Sequence, residues 1–289
     1  MSKKVEEWTV LSMLEWATDY FEQKNIPDPR HSIEWLLAET LSIKRLDLYL
    51  KFDRPLSPGE LNRLRPMVKR RAKHEPLQYI IGFTDFMNAR ISVNEDVLIP
   101  RIETEQLVEL ILDRHPAAEN PSSSVLDIGT GSGCIPIALK MERPDWQVSA
   151  LDISADALRV ARTNAEQNGA DITFLEEDIF SPASIEVASP LDLIVSNPPY
   201  IGPDEKETLE PQVRDFEPWQ ALFTDDLNKM YGSIEQFAQQ YLAENGSLYL
   251  ELHEHFANKI QDIFEQKYWE TVVLQDYDNN DRFLIACPQ

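Results

Sequence analysis

Asn197, Pro198, Pro199 and Tyr200 form a run whose residue types suit one kind of chemistry. Each proline fixes φ and lacks an N–H, so the run is stiff and presents carbonyl oxygens rather than donors. A planar amide or aromatic amine nitrogen is a poor nucleophile because its lone pair is delocalised. When the side-chain oxygen of Asn197 and the carbonyl of Pro198 accept its two N–H bonds, electron density returns to nitrogen and the lone pair is aimed. Tyr200 is then placed to pack against the planar group. Such a site works by positioning and electrostatics, without a covalent enzyme intermediate or a strong base. The same letters also describe a rigid proline loop, so position in the fold decides between the two.

That position is supplied by Val125 to Cys134, VLDIGTGSGC, about sixty residues earlier. Val125, Leu126 and Ile128 read as a strand, Gly129, Gly131 and Gly133 as a sharp turn, and Ile135 to Met141 as the start of a helix. This is a nucleotide-type pocket at the carboxyl end of a first parallel strand. A dinucleotide loop would follow GxGxxG and seat a pyrophosphate on the helix N-terminus. Here the third glycine comes one residue early, and Asp127 precedes the first. An acid at the mouth of the loop suits a cationic or amine-bearing ligand. The next strand, Val148 to Ile153, carries Asp152 at its end, where a carboxylate can accept from both ribose hydroxyls. Together these features point to S-adenosylmethionine, whose sulfonium and amino groups are positive.

The elements that hold these residues follow from periodicity. Residues 5 to 74 are predicted helical, with Val10, Leu11, Leu14, Ala17, Tyr20 and Phe21 at helical spacing and Ile33, Leu36, Leu37 and Leu41 repeating it. Pro27-Asp28-Pro29 separates the first two helices, and Pro55-Leu56-Ser57-Pro58 opens a last one. That last helix carries Arg63, Arg65, Lys69, Arg70, Arg71 and Lys73 in an otherwise acidic chain. It reads either as a solvated face or as a docking surface for an acidic partner or RNA. Residues 75 to 104 change period, with Phe86, Ile91, Val93, Val97 and Ile99 in extended runs around Asn94-Glu95-Asp96, which predicts a β-hairpin linker. Its end, Pro100-Arg101, enters a helix and is placed to lie over the cofactor mouth, which makes Arg101 a substrate-binding candidate.

From about residue 122 strands and helices alternate. Strands are predicted at 124–129, 147–152, 172–176, 191–196, 246–252, 268–276 and 282–287, and helices near 133–141, 155–168, 228–243 and 255–267. Short β runs separated by helices give a parallel, doubly wound α/β sheet. Only Asp278 to Asp281 separates the last two strands, so they pair antiparallel. The expectation is a seven-stranded Rossmann-like sheet with a terminal antiparallel strand, which resembles the class I methyltransferases, spanning 105–289, after a small helical domain at 1–74. Strand four of this sheet runs into Asn197, so Asn-Pro-Pro-Tyr and the glycine turn face one crevice.

The chain has 289 residues, 43% of them apolar, and a formal net charge of -23. Such acidity repels phosphate backbones and disfavours broad nucleic-acid binding. Cys134 and Cys287 have no metal or redox spacing, and Cys134 reads as a small buried hydrophobe. His253 and His255 lack a third ligand, Asp225-Asp226 and Asp276 to Asp281 read as turns, and no calcium loop is present, so no metal site is predicted. Glu6, Glu7, Glu15 and Asp19 interrupt any long apolar run near the N-terminus, which predicts neither signal peptide nor membrane span and a cytoplasmic location.

The sequence resembles the HemK/PrmC family of protein-(glutamine N5) methyltransferases, which modify the Gly-Gly-Gln motif of peptide chain release factors. Besides the glycine turn and Asn197 to Tyr200, the resemblance is carried by Glu75-Pro76-Leu77-Gln78-Tyr79-Ile80-Ile81-Gly82 and by Val97-Leu98-Ile99-Pro100-Arg101 with Glu103-Thr104-Glu105. Glu217-Pro218 with Ala221-Leu222, and Asp276 and Asp281-Arg282 in the last hairpin, add to it. It implies adenosylmethionine contacts at Gly129, Thr130, Gly131, Ser132, Gly133, Asp152 and Asn197, and glutamine binding at Asn197, Pro198, Pro199 and Tyr200. It also implies that the helical domain helps recognise the release factor. Asp178-Ile179 matches the adenine-contacting position, where an aromatic is common in the family; Ile179 covers a purine face without stacking on it. Ile102 replaces a proline usual after the arginine, and 223–227 lacks the family's glycines. Two other substrates fit the same motif: a glutamine of a ribosomal protein, and the exocyclic amine of a nucleic-acid base. A non-catalytic protein that kept the pocket is a third reading, against which the loop, Asp152 and Asn197 stand together.

Overall fold

The structure is a computed structural model that describes residues 8–181, 187 and 190–289. The predicted start of the helical region, residues 5 to 7, lies outside the described residues. The chain divides into two units, one running through Gly82 with Glu210–Phe216 added, the other comprising Phe83–Leu209 and Glu217–Gln289.

The first unit is helical. α1 (Val10–Glu22) begins at a capping box in which Thr9 and Ser12 satisfy each other's backbone N–H groups. α2 (Pro29–Leu41) and α3 (Pro58–Arg71) both start on prolines, where the missing N–H costs nothing, and Ser57 with Glu60 caps α3. A short α4 (Leu77–Ile81) ends at Gly82, whose φ of +87° is a left-handed stop that glycine accepts without strain. Val10, Leu14, Phe21, Ile33, Leu37 and Leu64 form the core, and Leu77 and Ile80 of α4 belong to it.

The basic residues of α3 are partly spent inside this unit. Arg63 donates to the Thr40 carbonyl at 3.0 Å and Arg70 pairs with Glu75. Arg71 is buried, and its guanidinium donates to Ser32 Oγ, the carbonyls of Pro27 and Glu75, and Gln212 Oε1. Burial pushes its pKa down to about 10. Half of the predicted basic stripe is thus structural, which weakens the RNA reading. Arg71→Met keeps the apolar stem but orphans four acceptors at once. We expect it to lower stability by about 2–4 kcal/mol in urea unfolding, several times the cost of Lys69→Met on the exposed side.

The second unit opens with an antiparallel hairpin, β1 (Phe83–Phe86) and β2 (Ala89–Ser92), turning at Met87 and Asn88. The sequence placed the hairpin around Asn94–Asp96. There the Asn94 side chain instead accepts from the Asp96 N–H at 3.1 Å, a local turn that follows the second strand. Next come α5 (Ile102–Arg114), β3 (Ser124–Ile128), α6 (Cys134–Glu142), β4 (Gln147–Asp152), α7 (Ala155–Asn168), β5 (Ile172–Glu176) and β6 (Leu191–Ser196). Two one-turn helices, α8 (Pro211–Arg214), part of the first unit, and α9 (Trp219–Leu222), precede α10 (Leu227–Tyr241), β7 (Leu242–Glu251), α11 (Ala257–Glu265), β8 (Trp269–Gln275) and β9 (Asp281–Pro288). Asp226 caps α10 by accepting from the N–H groups of Asn228 and Lys229, and Asp276 accepts from those of Asp278 and Asn280 in the last hairpin. These acids scaffold backbone, as their turn-like context suggested.

The seven strands lie in the order β5-β4-β3-β6-β7-β9-β8, with β9 antiparallel to both neighbours. β3 leads outward to β4 and β5, whereas β6 returns to its other side, so the strand order reverses between β3 and β6. Ligands bind such sheets at the carboxyl ends of the strands at that switch point. β3 and β6 bury Val125, Leu126, Leu193 and Ile194, as expected for parallel strands covered on both faces.

α7 contributes a second feature. Asn164, fully buried, exchanges hydrogen bonds with the N–H (2.8 Å) and C=O (3.0 Å) of Ser92, and Asn168 does the same with Arg90 at 3.3 and 2.9 Å. Asn164 also donates to the Ser132 carbonyl at 2.9 Å, which ties the hairpin to the glycine turn.

Candidate active site

Ile128, Leu151 and Ser196 sit side by side at the ends of β3, β4 and β6, so the loops that follow converge. Ser196 Oγ donates to the Ile128 carbonyl at 2.7 Å and fastens two of these ends. Gly129, Gly131 and Gly133 all have left-handed φ, at +74°, +54° and +81°. A Cβ on Gly129 or Gly131 would meet nothing within 4 Å, so their backbone faces open space and admits a ligand closely. At Gly133 the reason is different: a Cβ would come within 3.1 Å of Ala161 Cβ, on α7.

Asp152 ends β4 with both carboxylate oxygens in use, Oδ2 accepting from the Gly131 N–H at 2.8 Å and Oδ1 from that of Ser154 at 2.9 Å. It therefore shapes the glycine turn as well as presenting its remaining lone pairs. Burial raises its pKa against these two bonds.

These loops enclose a cavity of about 600 Å³. Of the predicted residues, Gly129, Thr130, Gly131, Ser132, Asp152, Asp178, Ile179, Asn197, Pro198 and Pro199 line it, whereas Asp127, Gly133, Tyr200 and Arg101 do not. Glu95, Asp96, Asp152, Asp156, Glu177, Asp178, Asp225 and Asp226 line it against one cation among the described lining residues, Lys229. A positively charged ligand suits that wall. Phe180, next to Ile179, also lines it, with Lys229 Nζ 4.3 Å from its ring centroid. Cys134 is buried at the wall, and burial pushes its thiol up to about 12, consistent with a small packing residue.

Asp127 is fully buried, and neither its carboxylate oxygens nor the Thr130 hydroxyl meets a partner in good hydrogen-bond geometry among the described residues, though Thr130 is near enough to draw the carboxyl pKa down against burial. Burial pushes the Asp127 pKa from 3.8 up to about 7. A raised acid means that the folded chain holds a proton the unfolded chain has lost between those two values. Stability contributed by this group therefore falls as pH rises from about 4 to about 7 and is level above that. Asp127→Asn abolishes the titration. Its stability relative to the parent, measured in urea without ligand, is expected to improve by about 2–3 kcal/mol between pH 5 and pH 8. A constant difference across that range would contradict the unpaired buried carboxylate.

Arg101 instead pairs with Glu217 at 2.5 Å, and Glu217 also accepts from the Ile99 N–H at 3.3 Å. It pins the chain on which Pro100 and Thr104 reach the cavity. Tyr200 points its hydroxyl at Glu251 Oε1, 3.3 Å away, and burial raises its pKa. Glu251, at the end of β7, is buried and pushed up to about 7, by burial above all. Asn197 Nδ2 donates to Thr104 Oγ1 at 3.0 Å, and Thr104 Oγ1 donates to Glu251 Oε2 at 2.8 Å. Asn164, Phe180, Thr104 and Glu251 had no site role in the sequence reading. Thr104 stands in a motif segment, and Glu251 lies one residue short of the end of a predicted strand, but no spacing rule links them across 147 positions. His253 Nε2 lies 3.2 Å from Glu205, a pairing between side chains.

A sheet of this order, with its last strand reversed and its loops gathered at the switch point, defines a class I methyltransferase domain. The catalytic domain of hMettl16, solved with the MAT2A 3′UTR hairpin 6, shares the fold at a TM-score of 0.53 and 13% identity, over 70% of this chain and 76% of that one. The family descriptions "PrmC N-terminal domain" and "Methyltransferase small domain" match residues 12–82 and 104–211. Release factor glutamine methyltransferases of Geobacter sulfurreducens and Chlorobaculum tepidum are 41% and 40% identical to it, in each case over 98% of both chains. The chain belongs to the release factor glutamine methyltransferase family. No helix among the described residues is long and apolar enough to cross a membrane.

Proposed function

We propose that this enzyme, acting in the cytoplasm, transfers a methyl group from S-adenosylmethionine to the side-chain amide nitrogen of the glutamine in the Gly-Gly-Gln motif of class I release factors, in support of translation termination. The observation that carries the reading is that Asn197, Pro198 and Pro199 line the same cavity as the left-handed glycine turn and Asp152. The wall fits the donor: open glycine backbone and a surplus of carboxylates suit a ligand carrying a sulfonium and an ammonium. When bound, S-adenosylmethionine supplies an electrophilic methyl group on sulfur.

The chain's own residues then position the acceptor. Gly129 to Ser132 admit the donor closely, and Asp152 accepts from its ribose hydroxyls. Asp178 and Ile179 border the purine, and Phe180 offers the aromatic face that Ile179 lacks. Asn197 Oδ1 and the Pro198 carbonyl accept the two N–H bonds of the glutamine amide, which localises the nitrogen lone pair and orients it. Pro199 keeps the turn rigid, and Tyr200, anchored at Glu251, backs the planar group. Arg101, through Glu217, holds the strand-to-helix passage beside the acceptor rather than touching it. The helical unit is assigned to recognition of the release factor.

Transfer of labelled methyl to intact release factor, to the same factor with its motif glutamine replaced, to ribosomal protein and to bulk RNA tests this reading. Label on the first alone is the expected result. Label on ribosomal protein or RNA would move the substrate, and label on none would remove the activity.

A further inference from the structure

An asparagine amide is nearly symmetric in shape, so packing alone does not decide which end faces a ligand; hydrogen bonds do. The proposed reaction needs the oxygen end of Asn197 toward the substrate. A turned amide would set N–H against N–H and leave the acceptor's lone pair delocalised. We propose that Thr104 and Glu251 are positioning residues that fix the Asn197 side chain with its oxygen directed to the acceptor, a proposal that rests on the amide-methylation reading above.

The number of protons on each group sets the direction of each bond. Thr104 Oγ1 has one proton and stands between Asn197 Nδ2, at 3.0 Å, and Glu251 Oε2, at 2.8 Å. Glu251 is pushed up to about 7, and above that pH its carboxylate is ionised and only accepts, so the Thr104 proton is committed to Glu251 and its lone pairs remain for Asn197. The amide can meet that oxygen only with its NH2 group, which leaves Oδ1 facing away from Thr104. Thr104 and Glu251 are 3% and 1% exposed, so water does not replace either partner. Glu251 is itself held in place: Tyr200 donates to its other oxygen at 3.3 Å, and the Tyr231 hydroxyl of α10 donates to its carbonyl at 3.1 Å. Arg282 of β9 favours its ionised form, whereas burial and Glu103 of α5 oppose it. The chain of bonds thus has a polarity, set at its buried end by a carboxylate and read out at its cavity end by an amide.

Thr104→Val keeps the shape and deletes the hydroxyl, and Thr104→Ser restores it. In methyl transfer to release factor, Thr104→Val is expected to lower kcat about 10–100-fold, with calorimetric affinity for S-adenosylmethionine within about 2-fold of the parent. Thr104→Ser should recover to within about 3-fold. In the Asn197→Ala background Thr104→Val should have no further effect, because it acts through Asn197. A second readout needs neither donor nor acceptor: the side-chain 15N–1H pair of Asn197, assigned by its loss in Asn197→Ala. It should exchange slowly with solvent in the parent and Thr104→Ser and rapidly in Thr104→Val. Unchanged exchange in a folded Thr104→Val overturns the proposal, as does full kcat in that variant. Slow exchange that depends on Thr104, in an enzyme that labels no release factor, would uphold the orientation and sink the substrate reading instead.

Discussion

Asn197→Ala is expected to lower methyl transfer by about 10³-fold or more while leaving donor binding largely intact. The expectation follows from the kind of work the residue does. Its oxygen is aimed at an N–H whose bond matters more as nitrogen loses amide resonance, so the interaction strengthens toward the transition state rather than in the ground state. Its own NH2 is held by Thr104 at 3.0 Å, so no compensating rotation is free. Single-turnover transfer, read beside calorimetry with S-adenosylmethionine, separates the two quantities. Turnover near that of the parent would remove Asn197 from the acceptor site.

Asp152→Ala should act on the other half of the site. Two hydroxyl bonds to a carboxylate, lost together, weaken donor binding by about 10²-fold or more. The structure adds a second reason, since Asp152 also accepts from Gly131 and Ser154 and so shapes the turn that cradles the donor. Asp152→Asn tests the charge without changing the size. Its shape is retained, but one end of the amide opposes a backbone N–H, so it should weaken binding nearly as much as alanine. Affinity unchanged in both variants would remove Asp152 from both roles.

Much of this site was legible because its parts are local. Gly129, Gly131 and Gly133 form the sharp turn that was expected, each at a left-handed φ, and Asp152 ends a strand expected at 147–152. The parallel, doubly wound character of the sheet followed from the alternation of strands and helices, and the final hairpin from a loop too short for anything else. What escaped was pairing across long sequence separations. Thr104 looked like one letter of a motif and Glu251 like part of a strand; only the packing of α5 against β7 makes them a chain. Arg101 read as a substrate ligand because it is cationic and near the mouth, but Glu217 captures it. The hairpin turn was misplaced because Asn94–Asp96 has turn chemistry, whereas Met87–Asn88 has little and is imposed by the pairing of Phe86 with Ala89.

The two asparagines of α7 have a consequence for solubility. A two-stranded ribbon is marginal alone in water, and its outer edge is a template on which another chain can add a strand. By offering an acceptor and a donor each to Arg90 and Ser92, Asn164 and Asn168 occupy the hydrogen-bonding positions an intruding strand would need. A helix here plays the part of a third strand, and the β2 edge of the hairpin is closed to edge-on aggregation.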